Sequence, residues 1–524
     1  MKTKKAASAA FLLSVSRVYP WAASLSPGWV TLSWRLIGIP SLFMKSFDIR
    51  RVIAILAGAL LLSHCAQNPV SGGKDFVLMS EQQEIQLGAK MHKEVLQEYS
   101  ALDHPELQAY VNEVGQRLAK QSHRPQLPWH FTIVDSPEVN AFALPGGYVY
   151  ITRGIMAYLN SEAELAGVLA HEIGHVTARH GVRQQSTATA AGLGAMLGSI
   201  LVPGLNNQGG ATLLQGMAQA MTAGYGREHE LQSDRLGAQY LAQAGYTPQA
   251  MIDLVGGLKN QELFDVELAK KEGREPRRYH GTFATHPSND ERLKQVVREA
   301  DRYIVKNPRD GRSAYLQRIA GVVFGDSAEQ GVIRNNALLH EKLGFGMQFP
   351  IGWRVQNQVS RVVAVSPQND ALIELRPGPK NERSMETLQN LRLDPGVRYV
   401  TGNINGFPAS FAAGALQGKP LLVSAVVSNG AQYLIAGLSR DANAYNQHRD
   451  TLKDAINSFH ALTPAQRAAA RPYRIRLVSA QAGTSMSKLA SSSPLENAVA
   501  QLRLLNGLYP NGEPQPGHML KVIQ

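Results

Sequence analysis

The chain has 524 residues, 44% of them hydrophobic, a formal net charge of +12 and one cysteine. That length has room for two to four ordinary domains, and a lone cysteine excludes a disulfide scaffold. Residues 1–64 hold +7 of the charge and no basic helix interleaved with aromatics follows, which excludes nucleic acid as the main partner. In chain order, Lys45, Arg50 and Arg51 precede the apolar run Val52 to Leu62. A charged region before a short apolar core reads as a secretory signal, too short for a spanning helix. Met44 opens a signal of ordinary proportions, so 44–64 reads as the signal peptide and 1–43 as upstream sequence.

Cys65 follows directly and has no partner for an internal disulfide, so its thiol is idle or modified. Leu62-Ser63-His64-Cys65 resembles a bacterial lipobox, with His64 where a small residue is usual. The resemblance implies acylation of Cys65 and a lipid anchor in the membrane; Ala66 after it implies the periplasmic face of the outer membrane. Without lipid, the protein would be soluble in the periplasm.

Further on, Gly147-Tyr148-Val149-Tyr150-Ile151-Thr152 alternates as a strand does. Ser161-Glu162-Ala163-Glu164 then reads as a capping box opening an amphipathic helix of about five turns, with Leu165, Val168, Leu169 and Ile173 at helical spacing. That helix carries His171-Glu172-Ile173-Gly174-His175. Side chains four apart share one helix face, so both imidazoles can grip one metal ion while Glu172 takes a proton from water beside it. This is the hydrolytic half-site of a zinc peptidase.

Two histidines leave zinc short of ligands. A metzincin needs Gly three and His six residues after the second histidine; Ala178 and Gly181 stand there, with His180 one residue out of step. The other common solution is a carboxylate from a later helix. After an uncharged tract from Gln184 to Gly226, read as small packing helices or a cover over the cleft, come Glu228, Glu230 and Asp234. Glu230 can ligate while Asp234, one turn on, accepts the free N–H of a ligand histidine, most simply His171. Glu228 is a rival ligand but lacks an acidic residue four positions later.

With Val139-Asn140-Ala141-Phe142-Ala143-Leu144-Pro145-Gly146-Gly147 before the helix, then HEIGH, then Glu230 with Asp234, then Thr285-His286-Pro287, the chain resembles peptidase family forty-eight of the zincin clan. That family includes HtpX, BepA and the CAAX prenyl endopeptidases, and the likeness covers roughly Ser71 to Arg334. It implies one zinc per chain held by His171, His175 and Glu230, with Glu172 as general base. His286 is implied at the metal site, as a resting ligand or an oxyanion donor, and Arg292 matches a family arginine. Zincins usually hold substrate against a sheet edge; the candidate edge is the strand of Tyr148 and Tyr150. The implied partners are protein or peptide substrates of the cell envelope.

After Arg334 short apolar strands replace long helices, at 345–350, 362–365, 371–375, 421–427 and 433–437, closed by a helix at about 444–459. The expected architecture is α+β: a mainly helical zincin-like domain with a small sheet at 65–334, then a separate α+β domain at 335–462. A Pro/Ala linker at 463–472 leads to residues 473–524, which resemble a LysM module, a βααβ unit whose implied ligand is peptidoglycan. No 34-residue helical repeat is present. Two functions compete: an envelope zinc endopeptidase acting on misfolded or misassembled proteins, and a wall-binding or chaperone-like lipoprotein with minor or self-inhibited cleavage. Pure binding would not require Glu172, which favours the enzyme.

Overall fold

A computed structural model describes residues 65–187, 225–272 and 289–524. They form two compact units, one of residues up to 325 together with 473–524, the other of residues 326–472. Helix and sheet occur in both, so the fold is α+β. No helix among the described residues is long and apolar enough to cross a membrane.

The first unit opens with the hairpin β1 (Cys65–Gln67) and β2 (Lys74–Phe76), then α1 (Glu81–Glu98) and α2 (Pro105–Ala119). Ser80 caps α1 in a reciprocal box with Gln83, and Pro105 opens α2 where its missing N–H costs nothing. A three-stranded sheet follows from β3 (His130–Val134), β4 (Ala141–Leu144) and β5 (Tyr148–Thr152). Its order is β3-β5-β4, with β5 parallel to β3 and antiparallel to β4. The β4–β5 turn is Pro145-Gly146-Gly147, whose glycines have φ of 81° and 99°. A side chain is excluded there, since a Cβ on Gly146 would lie 2.7 Å from Ile85 Cα of α1.

Helices α3 (Arg153–Tyr158), α4 (Glu162–Thr177), α5 (Arg227–Gln243), α6 (Gln249–Glu272), α7 (Asn289–Ala300) and α8 (Arg312–Ile319) precede the short strand β6 (Val323–Phe324). Ser161 caps α4 by accepting from Glu164 N–H, but the Glu164 carboxylate turns to Asn160 N–H instead of closing the expected box. The apolar stripe expected for α4 is also too narrow a description. From Leu165 to Thr177 every residue is buried, so α4 is the central helix of the core. Its small residues explain how neighbours approach from all sides. A Cβ on Gly174 would lie 2.6 Å from Ser233 Oγ, and one on Gly237 would lie 3.3 Å from His171 N, so α4 and α5 cross backbone against backbone.

Buried charge fixes the far end of α4. Glu84 of α1 pairs with Arg124 at 2.8 Å and Arg179 at 3.0 Å, and Arg124 also donates to Val176 O. Each charge is compensated inside the core, where an unpaired one would be costly.

The second unit holds β7 (Val332–Arg334), β8 (Ala337–His340) and β9 (Phe345–Gln348), then β10 (Arg354–Gln358), β11 (Arg361–Val365), β12 (Ala371–Pro377), α9 (Ser384–Asn390), β13 (Arg398–Ile404), β14 (Phe407–Leu416), β15 (Lys419–Ser428), β16 (Ala431–Ser439), α10 (Ala442–Asn457), β17 (His460–Ala461) and α11 (Pro464–Ala469). Seven strands form an antiparallel sheet ordered β10-β11-β12-β16-β15-β14-β13. Ile373 and Ile435 face Leu452 and Phe459 on one side; Leu372 and Leu434 face Leu388 of α9 on the other. Both faces are covered, which is why these strands read as continuous apolar runs.

Residues 473–524 add β18 (Tyr473–Ser479), α12 (Met486–Ala490), α13 (Ala498–Leu505) and β19 (Met519–Ile523). The expected boundaries shift here. The first break falls at 325/326, because Asn335-Asn336, both with positive φ, form a hairpin turn between β7 and β8 that the 334/335 boundary would have cut. Residues 463–472 are no free linker, since α11 lies within them and Ala470 is buried with Leu339. Residues 473–524 do not stand alone: β18 pairs with both β19 and β6, and Ile475, Leu502, Leu505 and Ile523 join the core around α4.

Candidate metal centre

Two helices build the site. α4 brings His171 and His175 to one face, and the close crossing at Gly174 and Gly237 sets α5 so that Glu230 meets them. The two Nε2 atoms are 3.0 Å apart, and each lies 3.5 Å from a Glu230 carboxylate oxygen. All three residues are buried. A tetrahedral ion with arms of roughly 2.0–2.1 Å needs donors roughly 3.3 Å apart, so the set fits a metal site. Glu228 is exposed and does not join them.

Electrostatics favour a cation. Among the described residues, Glu172, Glu230 and Asp234 are all buried beside a single guanidinium, that of Arg292, which Asp234 engages at 2.7 and 2.8 Å. The excess of buried negative charge is costly unless a positive ion joins it. Neither oxygen of Glu172 accepts a hydrogen bond from a described residue, and burial pushes its carboxyl up to about 7. Burial alone would lower His171, but the carboxylates of Asp234 and Glu230 outweigh it and raise it to about 9, a measure of the pull on any cation placed there. Asp234 is driven the other way: burial would raise it, yet Arg292 holds it well below the usual carboxylate range.

Around the donors stands a second ring of contacts. Asp234 Oδ1 lies 2.9 Å from His171 Nδ1, and Arg292 on α7 braces it from behind. Sequence reasoning missed the partner of the other histidine. His175 Nδ1 lies 2.9 Å from His180 Nδ1, and His180 Nε2 lies 3.0 Å from Gln232 Oε1 on α5. Tyr225 stacks on His175 at 4.0 Å and His229 on His180 at 4.2 Å. One signal could have found His180: a ligand imidazole needs an acceptor for its second nitrogen, and only His171 had been given one.

Tyr148 and Tyr150 are not at an edge. β5 is the central strand, paired on both sides and buried throughout, and Tyr150 hydrogen-bonds His92 under α1. The strand period was right, but alternation says nothing about which strand lies outermost. Among the described residues the outer strands are β3, whose outer edge is bridged by Ala101 at Val134, and β4. β4 runs beside the donors, where Ala143, Leu144 and Pro145 line a small pocket with His175, Val176 and Tyr225. His286 lies outside the described residues, as do 1–64 and most of the 184–226 tract; Cys65 opens β1, but nothing of its side chain is described.

Residues 105–300 match the model of Peptidase family M48. The Beta-barrel assembly-enhancing protease of Escherichia coli (strain K12) is 33% identical over 226 residues, 42% of this chain and 44% of that protein. Its namesake in Yersinia pestis is 32% identical over 258 residues, 47% and 50% of the two chains. The Mitochondrial metalloendopeptidase OMA1 of Schizosaccharomyces pombe is 28% identical over 242 residues, 46% of this chain and 67% of its own. The match thus spans about half the length of the bacterial relatives. Among solved structures, cyanobacterial PsbP from Synechocystis sp. PCC 6803 aligns with 26% of this chain and 98% of its own at 14% identity and a TM-score of 0.20, too slight to carry an argument.

Proposed function

We propose that this Peptidase family M48 domain makes the chain a zinc-dependent endopeptidase of the bacterial cell envelope, cleaving peptide bonds in misfolded or misassembled envelope proteins. The observation that carries the reading is the convergence of His171, His175 and Glu230 on one point, with a buried Glu172 beside it that accepts no hydrogen bond from a described residue. Bound zinc would supply Lewis acidity and lower the pKa of water from 15.7 to about 7. Glu172, buried beside the donors, is placed to take a proton from the attacking water and to hand it to the leaving amine. Asp234 keeps the hydrogen of His171 on Nδ1, leaving Nε2 for the metal. Extended substrate pairs with β4, whose outer edge takes no partner among the described residues. From the family resemblance, His286 serves as a resting ligand or an oxyanion donor.

The envelope assignment draws on the name of the bacterial relatives and on the signal-like residues 44–64. Lipid on Cys65 belongs to the same reading, since a diacylated cysteine holds a protein firmly at a membrane. Intact mass of the membrane-bound protein tests it: acylated Cys65 at the mature N-terminus is expected, and a free thiol there removes the anchor. Peptidoglycan binding by residues 473–524 has only sequence likeness behind it, and their place in the core around α4 supports a structural role instead.

The enzyme reading is tested with Glu172→Gln. The substitution removes the base and no metal donor, so zinc content and fold should persist while hydrolysis of an unfolded envelope protein is lost. Hydrolysis at the wild-type rate would place catalysis elsewhere.

A further inference from the structure

The two metal-facing histidines are backed by different chemistry. Behind His171 stands a carboxylate, Asp234, itself pinned by Arg292. Behind His175 no carboxylate is seen among the described residues; its Nδ1 meets His180 Nδ1 at 2.9 Å. Two imidazole nitrogens at that distance need one hydrogen between them. His175 turns Nε2 toward His171 and Glu230, so its hydrogen sits on Nδ1 and His180 Nδ1 must accept it. The hydrogen of His180 is then on Nε2, which faces Gln232 Oε1 at 3.0 Å. His229 lies flat on the His180 ring at 4.2 Å, and Tyr225 covers the His175 ring at 4.0 Å, so neither imidazole can turn without breaking a stack.

We propose that His180, oriented by Gln232, is a positioning residue that fixes the tautomer and ring plane of the ligand His175. The inference rests on the zinc-site reading above and adds to it the residues that hold the second imidazole. A neutral acceptor suits this side of the site. Glu172, Glu230 and Asp234 already crowd the centre with buried negative charge, and a fourth carboxylate behind His175 would add repulsion. An imidazole–amide pair supplies the acceptor without the charge. It also couples the helices: His175 and His180 follow one another around the end of α4, Gln232 lies on α5 two residues after Glu230, and one relay therefore registers both helices on the metal.

The test is zinc affinity of the full chain, measured by chelator competition, with cobalt absorption as a reporter of ligand geometry. His180→Phe keeps a ring against His229 but removes the acceptor, and should weaken zinc roughly 10- to 100-fold, as loss of such partners commonly does. His180→Asn puts Oδ1 near the position of Nδ1 and should recover most of that loss, which a merely space-filling role would not allow. Gln232 is half-buried, so Gln232→Met should fold even if His180→Phe does not; it should weaken zinc by roughly two- to tenfold, the worth of one hydrogen bond. The proposal is overturned if His180→Phe folds and binds zinc as wild type does, if His180→Asn is no better than His180→Phe, or if Gln232→Met changes nothing. His175→Ala separates this from failure of the site itself. Zinc retained in full by His175→Ala would sink the site reading, whereas zinc lost there but kept in the His180 and Gln232 variants would sink only this inference.

Discussion

Asp234 joins three helices at one carboxyl group. It lies on α5, accepts from His171 on α4 and is held by two bonds from Arg292 on α7. Asp234→Asn keeps the shape but removes the charge, leaving His171 with a poorer acceptor and the buried Arg292 without its counter-ion. Zinc affinity should fall by roughly 10- to 100-fold. Chelator competition measures it, and an unchanged affinity would mean that Asp234 does not act through the metal. At this scale the sequence was most readable. His171, Glu172, His175, Glu230 and Asp234 stand at fixed helical spacings, and spacing survives folding unchanged. His180 and Gln232 were not readable that way, because the bond between them crosses from one chain segment to another and no spacing encodes it.

Among the elements, the contact of α4 with α5 decides whether the donors meet at all. Gly174 lies between the metal-facing histidines, and a Cβ there would sit 2.6 Å from Ser233 Oγ and 3.1 Å from Ser233 O. Ala is the better helix former by about 1 kcal/mol, yet forcing a methyl into this crossing should cost about 1–3 kcal/mol. Gly174→Ala should therefore lower thermal stability and, by pushing α5 outward with Glu230, weaken metal binding. Ser233→Ala in the same chain should recover part of both losses; a Gly174→Ala protein with wild-type Tm and zinc affinity would show that the crossing has slack. The elements were legible where patterns were strong. α4, β5, β11, β12, β15, β16 and α10 lie close to their expected places. Pairing order was not legible. β5 alternates as an edge strand would, and only the partners on both sides make it central. β13 and β14 were missed because Gly402, Asn403, Pro408 and Gly414 break the apolar runs that mark strands.

For the molecule as a whole, the cores divide differently from the sequence segments. The cores of 326–472 use residues of that span alone, whereas the core around α4 includes Ile475, Met486, Leu502, Leu505, Leu520 and Ile523. Composition could not reveal this, since a segment that completes another core looks in sequence like a small domain of its own. Charge adds to the tie. Lys521 is fully buried, donates to Ala157 O and Leu159 O just ahead of the Ser161 cap of α4, and burial pushes its ammonium down to about 7. A free-standing module would keep that amine in water. The core around α4 thus draws on residues beyond the 105–300 family match. A chain ending at Pro472 would strip these six large apolar side chains, and Ala480, from the α4 core, each large one worth about 1.5–3 kcal/mol on burial, against a total stability of about 5–15 kcal/mol for a typical protein. It should fail to hold zinc and should be insoluble or rapidly proteolysed, while residues 326–472 expressed alone should melt cooperatively. A soluble, zinc-loaded and active chain ending at Pro472 would show instead that residues 473–524 are a separable module after all.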